Sequence, residues 1–159
     1  MPDRRTPFVN VDERETLLAF LDYLRESVIV KASGLADDDA RRALVPSGTS
    51  LLGLVKHLTM VEVAWFEWSF AGIDVAIPST DVTEADNVAE AVGAYRAAIA
   101  RSNEVALGAP GLDVRCARRG TAPEPMSLRW VLVHMVEETG RHAGHADILR
   151  EQIDGATGR

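Results

Sequence analysis

Hydrophobic residues recur along this chain with the three-to-four-residue spacing of amphipathic helices. Four long stretches show that spacing, and no stretch shows the strict alternation of apolar and polar residues that is typical of a half-buried strand. The pattern predicts helices over residues 13–33, 51–71, 84–107 and 128–153. Four long helices joined by irregular segments favour an all-α fold, an antiparallel four-helix bundle.

Start and stop signals support these helices. Asp12 and Glu15 form a capping box at the first of them, in which each carboxylate can accept a hydrogen bond from the other residue's backbone N–H. Each stretch is preceded by a candidate N-cap residue: Asp12, Ser50, Thr83 and Ser127. Each is followed by a glycine, the residue that most readily ends a helix: Gly34, Gly72, Gly108 and Gly155. The segment between the first two helices has room for one further helical turn.

The composition predicts one domain over residues 1–159. With 159 residues, 47% of them hydrophobic, the chain is long enough to bury a core. A net charge of −7 argues against nucleic acid or an anionic membrane surface as a partner. A small-molecule substrate is therefore the expected partner, and the apolar aromatic residues at 65–70 would also suit a homodimer.

Cysteine content and hydropathy both bear on the compartment. Cys116 is the single cysteine of the sequence, so an internal disulfide is excluded and a reducing compartment is favoured. Residues 1–16 lack the apolar stretch of a signal peptide, and no apolar run approaches the ~20 residues that span a membrane. We therefore expect a cytoplasmic protein.

Two polar residues interrupt the apolar stripe of the fourth helix. His142 falls at the centre of that stripe, and Glu138 lies one turn earlier on the same face. A lone carboxylate among apolar side chains is costly unless something replaces its lost hydration. A carboxylate and an imidazole four residues apart converge on one point, as in metal sites built within helix bundles. His57, near the interior edge of the second helix, is a candidate third ligand.

The same pattern has an interpretation without a metal. A histidine beside an apolar face is commonly a hydrogen-bonded core residue, and Glu138 could pair with Arg141. His134 and His145 lie on the flank of the stripe, where either could orient a ligand, relay a proton or face solvent. Periodicity alone leaves both interpretations open.

Two motifs add a resemblance. "LLGLVKHL" on the second helix and "EETGRHAGHADILREQIDG" on the fourth are similar to the DinB/YfiT-like superfamily of four-helix metalloenzymes, over nearly the whole chain. The resemblance implies three metal ligands at His57, Glu138 and His142. Many relatives carry histidine at the position of Glu138, whereas the mycothiol-dependent maleylpyruvate isomerases carry glutamate there.

The resemblance also implies a chemistry. Characterised members include isomerases and S-transferases that use low-molecular-weight thiols such as mycothiol or bacillithiol. We therefore expect a metal-dependent thiol S-transferase in detoxification, in which a divalent cation activates a thiolate or water. Zinc is the favoured metal for this ligand set, and nickel, manganese or iron also suit it. The isomerases have a further C-terminal domain that does not follow the fourth helix here, which disfavours isomerisation.

Two other functional classes stay open at this point. One is a non-catalytic, stress-related binding or dimerisation bundle, and the other is a metal-dependent hydrolase.

The loop before the fourth helix contains three arginines that are candidates for binding a carboxylate of the thiol or the substrate: Arg115, Arg118 and Arg119. Cys116 lies among them without an identifiable base, so we do not expect it to be a nucleophile. The aromatic residues of the second helix are expected to pack in or around the core: Trp65, Phe66 and Trp68.

Overall fold

The computed structural model describes residues 6–157, and its regular elements are all helical. They are α1 (Glu13–Ala32), the short α2 (Asp37–Arg41), α3 (Leu51–Glu62) with a π-helical segment (Val63–Phe70) continuing it, α4 (Val88–Gly108) and α5 (Leu128–Asp154). Among these residues no strand forms, and one isolated bridge joins Arg115 to Ser127. The predicted all-α bundle is confirmed. None of the helices in this part of the chain has the length and apolar character needed to cross a bilayer.

The four long helices run in two parallel pairs. Along α1 and α5, Arg129 bonds to Glu13 at one end and Lys31 pairs with Asp147 at the other, so these helices point the same way. Ion pairs between Lys56 and Asp86, and between Glu67 and Arg101, show in the same manner that α3 and α4 are parallel. The expected antiparallel packing therefore holds between the pairs and not within them.

The connection between α3 and α4 accounts for this difference. Because the two helices are parallel, residues 71–87 must return along the whole length of α3 before α4 can begin. Seventeen extended residues can span roughly 55 Å, about twice the length of α3 and its π-helical continuation. On the way, the carbonyl of Asp81 accepts a hydrogen bond from Lys56. The crossover thus lies over the middle of α3.

The start of α4 differs from the predicted one. Thr83 does not cap the helix, because its backbone N–H and hydroxyl both donate to the carboxylate of Asp86, at 2.7 and 2.9 Å. Together with the ammonium group of Lys56, these bonds lower the pKa of Asp86 to about 2. Asn87 caps the helix instead and accepts from the N–H of Glu90. The helix therefore begins at Val88 rather than at residue 84.

The end of the α3 unit is a π-helix rather than the predicted α-helix. Its N–H groups bond five residues back, as between Ala71 and Phe66, and the wider turn changes which side chains face inward. Phe66 and Phe70 are buried there, while Trp65 and Trp68, which were expected in or around the core, are half-buried at its edge. The segment ends at Phe70, and the predicted terminator Gly72 follows two residues later with φ +70°, where an added Cβ would lie 2.8 Å from that of Ala117.

A buried ion pair links α1, α3 and α4. Arg25 donates two hydrogen bonds to the carboxylate of Glu62, at 2.7 and 2.6 Å, and both residues are almost fully buried. Its third nitrogen donates to Asp22 and to Asn103 on α4. Burial lowers the pKa of Arg25, but the charge and bonds of Glu62 outweigh that effect, and the pKa is raised. Glu62 lies five residues beyond His57, so the pair restrains the helix that carries this histidine.

Removing one partner of this pair is predicted to be costly. Glu62→Ala leaves the Arg25 guanidinium buried without its main counter-charge, and we expect a loss of about 3–5 kcal/mol in the free energy of unfolding. The double variant Arg25→Met/Glu62→Leu removes both buried charges, leaves only the half-exposed Asp22 without its cation, and should recover most of that loss. Urea denaturation followed by circular dichroism measures both. A double variant no more stable than the single one would contradict this role.

Candidate metal centre

Two antiparallel helices bring three candidate ligands to one point. Ser50 starts α3 by accepting from the N–H of Gly53, and Ser127 starts α5 in the same way through Trp130. From these starts, His57 of α3 comes to face Glu138 and His142 of α5. One ligand atom of each of these three lies within 4.8 Å of the others. The structure therefore assembles the three residues predicted from the sequence.

One carboxylate oxygen is shared by both imidazoles. Oε1 of Glu138 lies 2.9 Å from Nε2 of His57 and 3.1 Å from Nε2 of His142. Oε2 accepts a bond from Arg141 at 2.9 Å, and Arg141 also contacts Glu137. The pairing with Arg141 that the metal-free interpretation invoked is thus present, but it occupies the outer oxygen. The inner oxygen is directed at the two histidines.

The surroundings keep Glu138 ionised. Its side chain is only 13% exposed, and burial raises the pKa of its carboxyl. The hydrogen bonds from His57 and His142 and the charge of Arg141 outweigh that effect, so the pKa lies below its ordinary value. Burial also lowers the pKa of His142, and the neighbouring His57 adds to this, against the opposing attraction of Glu138. An ionised carboxylate beside a neutral imidazole is the protonation state that metal binding requires.

His145 lies next to this group and His134 does not. Nδ1 of His145 is 3.4 Å from Nδ1 of His142, and the two rings meet edge to face. If a cation takes Nε2 of His142, the proton moves to the opposite nitrogen, which can then donate to His145, and that bond would fix the tautomer of His142. His134 instead stacks on Trp130 and meets Trp65 edge to face, each at 5.0 Å between ring centroids. Of the two flanking histidines, His145 is therefore the one placed to orient a ligand.

The three donors fit a divalent cation such as zinc. Tetrahedral zinc, held at about 2.0–2.2 Å by nitrogen and oxygen, keeps its ligand atoms roughly 3.3 Å apart. The two N···O separations of 2.9 and 3.1 Å would have to widen by a few tenths of an ångström, and the two imidazole nitrogens, which lie within 4.8 Å of each other, would have to reach the same spacing. Two imidazoles and a carboxylate also leave one coordination position for water or a substrate.

That open side faces a cavity of about 450 Å³. The three candidate ligands line it together with His145, and Gly53 lies beside His57 where a side chain would narrow the space. The opposite wall carries hydroxyl groups from the loop before α3 and from the crossover: Ser47, Thr49, Ser50 and Thr80. The crossover that makes α3 and α4 parallel therefore also closes one side of the site.

Sequence reasoning did not identify this hydroxyl wall. The run "VPSGTS" before α3 is rich in turn-forming and hydroxyl residues, and that composition was a signal that could have marked it. Ser47 and Thr49 bond to each other at 3.0 Å, within a turn in which Gly48 has φ +82°. Thr80 had no comparable signal, because its place depends on the path of the crossover.

The arginine loop lies at the other end of α5. Glu138 is ten residues beyond the start of that helix, about 15 Å along its axis. Arg118 donates to the carbonyls of Trp68, Gly72 and Ile73, and its guanidinium lies 5.0 Å from the ring centre of Trp68. Within the same loop, Arg115 and Arg119 donate to proline carbonyls, at 3.0 and 3.4 Å. These bonds hold the loop in place, and the structure does not bring the three arginines to the cavity.

Cys116 belongs to the core beneath this loop. Its thiol is 5% exposed, and burial raises its pKa, against weaker opposite effects of hydrogen bonds from Ser69 and the backbone. A protonated, enclosed thiol is a poor nucleophile. This agrees with the expectation that Cys116 takes no part in catalysis.

The chain is similar to known proteins in both sequence family and fold. A family model described as mycothiol-S-transferase matches residues 16–155. Among solved structures, the chain is similar to one described as "Crystal structure of the conserved protein of locus from Enterococcus faecalis". The TM-score is 0.63 at 15% sequence identity, covering 92% of this chain and 100% of that one, a likeness that shows the fold alone. The curated proteins contain no match.

The geometry predicts how single substitutions change metal uptake. Protein purified without chelator should hold about one equivalent of divalent metal by elemental mass spectrometry, the stoichiometry of a single three-ligand site. His57→Ala and His142→Ala should lose most of it, since two ligands hold a cation far more weakly than three. His134→Ala is the matched control on the same helix and should keep the metal. Equal metal content in all four proteins would contradict the assignment.

Proposed function

Because the chain belongs to the mycothiol-S-transferase family, we propose that it transfers a low-molecular-weight thiol of the mycothiol type to an electrophilic small molecule, using a bound divalent metal. Zinc is the metal that the ligand set favours, and nickel, manganese or iron would suit it as well. The observation that carries the proposal is the convergence of His57, Glu138 and His142 on one point at the wall of an open cavity.

The proposed ligands differ in what each contributes. Nε2 of His57 and Nε2 of His142 supply neutral donors from opposite helices, so that the site depends on the packing of α3 against α5. Arg141 holds the outer oxygen of Glu138 and leaves the inner one directed at the two histidines. His145 contacts the second nitrogen of His142 and would keep its first nitrogen available as a ligand.

A divalent cation held there would lower the pKa of a thiol that reaches its open side, so that thiolate forms near neutral pH. In the transfer itself, the sulfur forms a bond to the electrophilic carbon and the leaving group departs with the bonding electron pair. The thiol proton passes to solvent through the mouth of the cavity. The hydroxyl wall supports a polar thiol in this position, because Thr49 and Thr80 can exchange hydrogen bonds with it.

A direct assay follows. With mycothiol and 1-chloro-2,4-dinitrobenzene, the zinc-loaded protein should form the thioether and release chloride, and chelator should abolish the reaction. Glu138→Gln removes the anionic ligand and should lower the rate by about 100-fold or more, the upper range seen even for residues that only support ligands. Absorbance of the dinitrophenyl thioether measures the rate, and His134→Gln provides the matched control.

Different outcomes of this assay separate the competing functions. Transfer that resists chelator, or that survives Glu138→Gln unchanged, would contradict the proposal. Ester hydrolysis that needs metal but no thiol would favour a hydrolase that activates water. Metal bound in a closed site, with neither reaction, would favour a non-catalytic binding bundle.

A further inference from the structure

A second cavity adjoins the candidate metal centre. It has a volume of about 300 Å³, and Ser47, Thr49 and His145 line both it and the cavity of the metal centre. Its remaining walls are aliphatic, formed by Val45, Ile148 and Leu149. We refer to it below as the aliphatic cavity.

Local structure explains why polar and apolar walls meet here. His145 and Ile148 are three residues apart on α5 and therefore lie side by side on its surface. Across from them, Gly48 donates its N–H to the carbonyl of Val45 at 3.0 Å, which folds residues 45–49 into a tight turn. The turn presents Val45 at one end and the hydroxyl groups at the other. The two cavities consequently share residues on both walls.

The aliphatic cavity has the character of a ligand site. Ile148 is 56% exposed although it lines a concave surface, whereas Leu149 beneath it is buried in the bundle core. An apolar recess next to a few convergent polar groups is the usual form of a small-molecule pocket. Its volume is about twice the ~150 Å³ in which an apolar protein cavity accommodates benzene. It can therefore take an aryl group or an alkyl chain of several carbons.

From these observations we infer that the electrophile carries an alkyl or aryl group, which binds in the aliphatic cavity while its reacting carbon points toward the metal centre. This inference rests on the proposed thiol transfer and names the substrate class for it. The hydroxyl wall takes the polar thiol and the aliphatic cavity takes the apolar group of the electrophile. Ile148 is then a residue that determines specificity and does not touch the reacting atoms.

Alkyl hydroxamates test the inference without turnover, because the hydroxamate binds the metal and the alkyl chain extends from it. Isothermal titration calorimetry with zinc-loaded protein gives the Kd of acetohydroxamate and of hexanohydroxamate. Each buried methylene contributes about fourfold to affinity, so the longer chain should bind at least about tenfold more tightly even if it is only partly covered. Equal affinities would overturn the inference.

Two matched variants on α5 identify where the chain lies. Ile148→Ser should raise the Kd of hexanohydroxamate several-fold and leave the Kd of acetohydroxamate unchanged. Val133→Ser replaces a comparably exposed aliphatic residue, 52% exposed, that does not line the cavity, and should change neither Kd. If the Kd of hexanohydroxamate rises in both variants, or in neither, the assignment of the alkyl chain to this cavity is overturned.

A binding experiment that needs no metal separates this inference from the proposed function. Hexanamide resembles hexanohydroxamate but does not chelate, and methyl NMR spectra report its contact with Ile148 and Leu149. Saturable shifts of these methyl signals, absent with acetamide, would support the aliphatic cavity even if the protein took up no metal and the transferase proposal failed. No such shifts, together with equal hydroxamate affinities, would remove the cavity as a binding site.

Discussion

Glu138 lies between α3 and α5, where its carboxylate has lost much of its hydration and must be compensated by positive or hydrogen-bonding partners. Two imidazoles meet its inner oxygen and one guanidinium meets the outer one. These contacts keep the carboxylate ionised despite its burial. A cation at the inner oxygen would compensate the charge more completely than hydrogen bonds from two imidazoles, and this electrostatic requirement is the basis of the metal proposal.

The rest of the bundle positions that carboxylate and its partners. His57 can face α5 only while α3 keeps its rotation about its own axis and its position along α5. The hydrogen bonds between Arg25 and Glu62 attach this helix to α1. Because α3 and α4 are parallel, the crossover between them must return over α3, and in doing so it brings Thr80 to the cavity. The topology and the site are thus consequences of the same connection.

Much of the candidate site could be predicted because its signals are local. Helical period alone placed His142 and Glu138 on one face of the fourth helix, and the DinB/YfiT-like resemblance, which the family match confirms, pointed to the same residues with His57. Their convergence in space agrees with that prediction. The arginine loop was a weaker candidate, since a cluster of charges does not reveal that Arg118 is engaged by backbone carbonyls.

What could not be predicted depends on hydrogen bonds and packing that the hydrophobic period does not encode. Thr83 and Asn87 are both good N-caps, and only the carboxylate of Asp86, which binds Thr83, decides between them. The π-helical turn leaves Trp65 half-buried at the edge of the core, against Trp130 of α5, which an α-helical period cannot anticipate. The aliphatic cavity likewise requires that a turn near Val45 meet the surface of α5.

The most direct test of the central claim is anomalous diffraction, at the metal's absorption edge, from crystals of protein purified without chelator. The account predicts one anomalous peak at bonding distance, about 2.0–2.2 Å, from Nε2 of His57, Nε2 of His142 and Oε1 of Glu138. A well-ordered structure from zinc-soaked crystals that retains the direct bonds of Glu138 to both imidazoles, with no peak between them, would contradict it.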